Sequence, residues 1–121
     1  MRFLLTSLIC ALSLAVQAQS VKLLVQSSPL AGFQYHVGAA LWTELKVGDE
    51  LALVREPANP HDARAVRVEW RGMQLGYLPR AENAAVAAAM DRGERVAARI
   101  AALVEHRNPW RRVRIDVFVV L

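Results

Sequence analysis

The stretch REPANPHDARAVRV, residues 55–68, constrains this chain more than any other, because it ends one strand pattern and begins another. Before it, Glu50, Leu51, Ala52, Leu53 and Val54 read as a strand. After it, Val66, Val68 and Trp70 alternate with Arg67, Glu69 and Arg71, the period-two pattern of a half-buried strand. Between them Pro57 and Pro60 fix φ and remove donors, and Asn59 favours a turn, so the backbone must make a rigid excursion. His61 and Asp62 ride on it. A short polar loop set between two firm strands can hold side chains in place for a ligand. The plainer alternative is a hairpin connection whose polar groups satisfy one another.

The start of the chain poses a separate problem. Arg2 precedes an almost wholly apolar run over residues 3–16, and Val16, Gln17 and Ala18 offer small residues where a signal peptidase needs them. The run is too short for a comfortable membrane span. This composition predicts a secretory signal peptide over residues 1–18, followed by one domain over residues 19–121. Cleavage after Ser20 is an alternative, and a buried first element of a cytosolic domain is the competing reading. The expected product is exported, periplasmic or secreted, with no membrane span once the segment is removed. Cys10 is the only cysteine and lies inside that segment. The mature domain would therefore have no disulfide, thiolate or cysteine-zinc chemistry.

The chain carries 15 Lys and Arg against 11 Asp and Glu, a net charge of +4. Only Lys22 and Lys46 are lysine. Arginine suits bidentate contacts to phosphate or carboxylate, but its excess also accompanies GC-rich coding. Net charge alone says little about partners.

Strands are expected over residues 21–26, 32–37, 50–54, 64–70, 73–78, 95–103 and 112–120. An alanine-rich helix is expected over 81–90, stopped by Asp91, Arg92 and Gly93. In the last strand Val113, Ile115, Val117 and Val119 share one face. Many short strands with one inserted helix predict a mostly β fold: a small, OB-like, modified β-barrel with the helix over one opening.

Enzyme signatures are missing. No glycine run precedes a helix as a phosphate loop would require. Ser20, Ser27 and Ser28 cluster near the expected mature start, far in sequence from His61 and Asp62. His36, His61, Asp62 and His106 lack the spacing of a zinc site, so no metal and no cofactor is expected. Asp49 with Glu50, and Asp91 with Glu94, show no sign of a shared cleft.

Nucleic-acid binding has better material. Tyr35 and Tyr77 are phenols near glycines, and stacking on tyrosine contributes about 1–3 kcal/mol per base. Arg55, Arg64 and Arg80 are candidates for phosphate, and Asn59, His61 and Asp62 for a base, sugar or terminal hydroxyl. Trp110, flanked by Arg107, Arg111, Arg112 and Arg114, is a second candidate platform. The alternative makes the tyrosines core or rim residues and the arginines a solvated face.

The same strings resemble the HIRAN domain family. The likeness runs through AGFQYHVG (residues 31–38), Gly48-Asp49, the stretch over 55–68, and Gly76-Tyr77-Leu78-Pro79-Arg80, covering about residues 27–105. The resemblance implies a modified OB-type barrel. Family members stand at the front of some helicase-like proteins or alone in bacteria, and the well-understood members bind single-stranded DNA by capturing its 3′ end. It also implies site residues. An arginine-tyrosine pair of the family falls on Gln34-Tyr35, the pocket asparagine on Asn59, a tyrosine-aspartate pair on His61-Asp62, and a basic residue on Arg80. The expected function is therefore a non-catalytic, monomeric module for single-stranded DNA with a free 3′ hydroxyl. The alternative is an exported protein- or envelope-interaction module that kept the barrel and lost DNA binding.

Export makes a mass prediction. Intact-mass analysis of the protein recovered from cell fractions should show loss of residues 1–18 or of residues 1–20. A full-length cytoplasmic species as the sole product would refute it.

Overall fold

A computed structural model of the protein describes residues 20–36 and 38–121. The expected signal segment, with Cys10, lies outside the described residues, as does Val37. The strands are β1 (Lys22–Pro29), β2 (Glu50–Glu56), β3 (Ala65–Trp70), β4 (Met73–Tyr77), β5 (Val96–Leu103) and β6 (Val113–Val120). The helices are α1 (Gly38–Leu41) and α2 (Ala84–Asp91), and short 3₁₀ turns lie over Phe33–Tyr35, Trp42–Glu44, Arg80–Glu82 and Pro109–Arg111.

All strand pairs are antiparallel, in the order β1-β6-β5-β2-β3-β4. The sheet is open, which corrects the expected barrel. This is a mixed α/β fold dominated by strands, with α2 its one major helix among the described residues. The end strands β1 and β4 share no ladder; a single isolated bridge, Ala31 to Tyr77, joins the chain beyond β1 to β4. The reason is local. Gly32 adopts φ 73° directly after that bridge and turns the chain into a 3₁₀ turn over Phe33–Tyr35. The strand expected over residues 32–37 therefore does not form, and closure ends after one residue pair.

β2 bends the sheet into two halves. Its first residues pair with β5, Glu50 to Arg99 and Leu51 to Ala98. From Ala52 to Glu56 it pairs with β3. One hydrophobic core joins residues of the sheet and of α2. Val66, Val68, Val113, Ile115 and Val117 are buried there with Leu75 and Ile100, as the alternation requires. Burying a side chain of this size contributes about 1.5–3 kcal/mol. Trp70 is buried too, and its Nε1 donates to Asp49 Oδ2 at 3.1 Å. The helix buries Val86, Ala87 and Ala89 against β3 and β5. Its expected first turn, residues 81–83, is a 3₁₀ turn over Arg80–Glu82 followed by Asn83.

The bridge depends on Gly76. A Cβ there would lie 2.3 Å from the Ala31 carbonyl oxygen. Gly48 also has positive φ, but a Cβ on it meets nothing within 4 Å. Gly76→Ala should cost about 1–3 kcal/mol by overpacking. Gly48→Ala should cost about 1 kcal/mol of backbone strain. Urea denaturation measures both, and a Gly76→Ala cost no larger than that of Gly48→Ala would refute the close approach as the constraint.

Candidate nucleic-acid interface

The excursion between β2 and β3 is built by its own side chains. Asn59 N–H donates to the Glu56 carbonyl at 3.1 Å. Asn59 Oδ1 accepts from the backbone N–H groups of His61 (2.9 Å) and Asp62 (3.2 Å), and its Nδ2 donates to Glu56 Oε1 at 3.1 Å. Asp62 repeats the pattern, with Oδ1 accepting from Arg64 N–H at 2.9 Å and the carbonyl from Ala65 N–H at 3.1 Å. These are the local bonds for which Asn and Asp favour turns. Asp62 Oδ2 accepts from Asn83 Nδ2 at 2.7 Å. A carboxylate has about four acceptor sites, so Asp62 can still take a ligand donor. His61 is exposed, and its carbonyl accepts from Arg80 Nη2.

Tyr77 links this loop to the rest of the site. Its hydroxyl donates to Glu56 Oε1 at 2.8 Å, and Arg67 Nη1 donates to Glu56 Oε2 at 2.7 Å. The His36 ring meets Tyr77 edge-on, with centroids 6.0 Å apart. Tyr77 is half-buried, and burial, with the bond to Glu56, pushes its phenol up. Beyond His36 lies the 3₁₀ turn that carries Gln34 and Tyr35. Phe33 enters the core at 1% exposure, while Gln34 faces water and Tyr35 is 80% exposed.

The structure thus gathers Asn59, His61, Asp62 and Arg80 on one loop and its clamp, and connects them through Glu56, Tyr77 and His36 to the turn with Gln34 and Tyr35. Arg64 and Arg80 are exposed there. Arg55 does not join them. Its guanidinium binds Asp91 at 3.0 and 3.2 Å and the Ala65 carbonyl at 3.2 Å, tying β2 to α2. Trp110 is 48% exposed, on the 3₁₀ turn over Pro109–Arg111, which packs beside the turn carrying Gln34 and Tyr35 and away from the polar loop's own hydrogen bonds. A cleft of about 400 Å³ is lined by Phe33, Trp42, Glu105, His106, Arg107 and Arg112, none of them on the loop. Among the described residues no group of three or more His, Cys, Asp or Glu is placed to hold a metal ion. No helix among them is long and apolar enough to cross a membrane.

Sequence reasoning missed Glu56 and Asn83. Glu56 falls just past the strand expected over residues 50–54, and nothing in the sequence singles it out, whereas β2 in fact extends through it. Asn83 stands where an N-cap belongs, yet its side chain caps nothing and turns to Asp62 instead. No local signal could have separated those two uses.

Both carboxylates lie below their ordinary range. Burial raises Glu56, but hydrogen bonds from Asn59 and Tyr77 and the charge and hydrogen bonding of Arg67 outweigh it. For Asp62 the Arg64 N–H lowers it most; partial burial opposes, and Asn83, Arg80 and Arg64 lower it further. A depressed folded-state pKa stabilises the fold above the unfolded value, near about 4, and that contribution disappears as pH falls through the folded values. Stability measured by urea denaturation should therefore drop between about pH 5 and pH 2. The drop should be shallower in Asp62→Asn and in Glu56→Gln; slopes equal to that of the unmodified protein would contradict the assignment.

Comparison with known proteins places this architecture. No curated protein matches the chain. The crystal structure of a protein from Lactobacillus plantarum superposes with a TM-score of 0.72 at 24% identity, covering 84% of this chain and 98% of that one. The HIRAN domain of human HLTF superposes with a TM-score of 0.59 at 22% identity, covering 86% of this chain and 79% of that one. At such identities the likeness speaks for the fold alone. The HIRAN domain itself matches over residues 23–121, reaching past the motif-bearing stretch to include all of β6. That match spans most of the sequence, from the second residue of β1 to the last residue, and the chain belongs to the HIRAN domain family.

Proposed function

We propose that the domain binds single-stranded DNA ending in a free 3′ hydroxyl, and that it does so without catalysis. The observation that carries this reading is Tyr35. Its ring is 80% exposed on a turn coupled to the Asn59–Asp62 loop. Core packing does not account for a ring left in water, whereas stacking on a base would cover it.

The loop supplies matching chemistry. Asp62 is an ionised acceptor held by the loop, suited to a hydroxyl donor and repelled by phosphate. Arg64 and Arg80 are exposed cations beside it, suited to backbone phosphates, which position a strand without reading its sequence. Membership in the HIRAN family points the same way, through Tyr35, Asn59, Asp62 and Arg80. Gln34 and His61 stand where the family's binding members carry arginine and tyrosine. They remove one charge and some ring area, so the affinity is modest.

The test is a titration of the protein with a short single strand ending in a 3′ hydroxyl, its 3′-phosphorylated twin, and a blunt duplex. The hydroxyl end should bind best, and binding should weaken as salt rises, because phosphate contacts release counterions. Tyr35→Ala should weaken it about tenfold with the fold intact. Absence of binding to all three at low salt would refute the nucleic-acid reading in favour of an envelope-interaction module.

A further inference from the structure

Asn83 opens α2, but its side chain makes no capping bond to that helix. It is 1% exposed and, with Ser28, makes up the buried polar residues of the described chain. Burying an amide is unfavourable unless its polar atoms find partners. Its Nδ2 has one: it donates to Asp62 Oδ2 at 2.7 Å, a charge-assisted bond. Its Oδ1 is buried with no partner. The amide orientation is therefore set by Asp62, since the reverse orientation would press Oδ1 against a carboxylate oxygen.

The two oxygens of Asp62 are held from different parts of the fold. Oδ1 takes the Arg64 N–H within the loop at 2.9 Å. Oδ2 takes Asn83, which lies 21 residues away at the head of α2. Two donors on opposite oxygens fix the plane of a carboxylate. Arg80, in the 3₁₀ turn just before Asn83, grips the carbonyl of the preceding loop residue, His61. Asparagine supplies its donor without charge. It orients Asp62 and leaves the negative charge facing the ligand, moderated only by the nearby Arg64 and Arg80. A lysine or arginine in its place would neutralise that charge and favour a phosphate.

We propose that Asn83 is the positioning residue of this site: it fixes the Asp62 carboxylate in the orientation that accepts a terminal sugar hydroxyl, and thereby sets the preference for a hydroxyl-ended over a phosphate-ended strand. The ligand in this proposal rests on the nucleic-acid reading above; the positioning of Asp62 does not.

The full chain is compared with Asn83→Ala, Asn83→Leu and Asn83→Ser. Fluorescence anisotropy gives the affinity for a 3′-hydroxyl strand and for its 3′-phosphorylated twin. Carbon-detected NMR gives the titration midpoint of the Asp62 carboxyl, and thermal melts show which variants fold. The ratio of the two affinities should fall about tenfold in Asn83→Ala and Asn83→Leu, the size of one hydrogen bond to a charged group. The Asp62 midpoint should rise in both. Asn83→Ser, the mildest change, keeps a donor and should retain part of the ratio. A purely structural role would weaken both affinities together and leave their ratio alone. An unchanged ratio in a folded variant overturns the proposal. If the unmodified protein binds neither strand, the functional reading fails, and the Asp62 midpoint alone decides: a rise upholds the positioning role, and no change overturns it.

Discussion

The reciprocal backbone pair between Ala31 and Tyr77, with N···O distances of 2.9 Å in both directions, is the contact on which the site depends. It ties the two ends of an open sheet at one point. Leu30, just before it, donates to the Val113 carbonyl at 3.1 Å, so the same short segment touches both β6 and β4. Immediately after the pair, Gly32 turns the chain, Phe33 drops into the core and Tyr35 is left in water. On the other side of the pair, the Tyr77 side chain reaches Glu56 at the root of the polar loop. Without the bridge, neither the exposed ring nor the loop would have a fixed place relative to the other. The absent side chain of Gly76 lets the backbones come this close.

Arginine chemistry divides along the same lines. Arg67 lies between Glu56 at 2.7 Å and Glu69 at 3.4 Å, with all three side chains partly buried. Arg55 holds Asp91 and the Ala65 carbonyl. These guanidiniums organise β2, β3 and α2, and a chain with ordinary surface charge could not spare them for phosphate. Arg64 and Arg80 remain toward solvent. Exposed pairs such as Arg92 with Glu94 contribute about 0–1 kcal/mol and decide little. The distinction is between guanidiniums paired with carboxylates of the fold and those that face no carboxylate ion pair and stay toward solvent, Arg80 giving one donor to the His61 carbonyl.

Preorganisation follows from how the loop is held. Asn59 and Asp62 each bond to backbone groups within three residues, so the loop shape is largely local. Arg80 and Asn83, in the turn and helix start that follow β4 in the chain, then lock it. A ligand meeting such a loop need not order it first, which lowers the entropic cost of binding.

How much of this was legible varies by element. The valines of β3 and β6 announced their buried faces, because alternation in a half-buried strand is a property of the local pleat. The break at residues 57–62 was equally plain, since proline and asparagine act on their own backbone. The helix was visible in its alanines. The strand over 32–37 was misread, because AGFQYHVG offers apolar and aromatic residues whose turn depends on Gly32 adopting positive φ beside β4. The barrel was inferred from a count of strands and from family likeness, yet closure depends on whether the end strands find a ladder, and a single bridge is all they form.

The site shows the same division. Tyr35, Asn59, His61, Asp62 and Arg80 could be nominated from residue type and family likeness. By itself the sequence determined the buried strand faces, the rigid loop and the family likeness. Only the tertiary structure decided that Arg55 belongs to Asp91, that Tyr77 bonds Glu56, and that Asn83 turns from its own helix to Asp62. Those outcomes join residues 21 or 36 positions apart, and no local preference encodes which distant partner a buried polar group will meet.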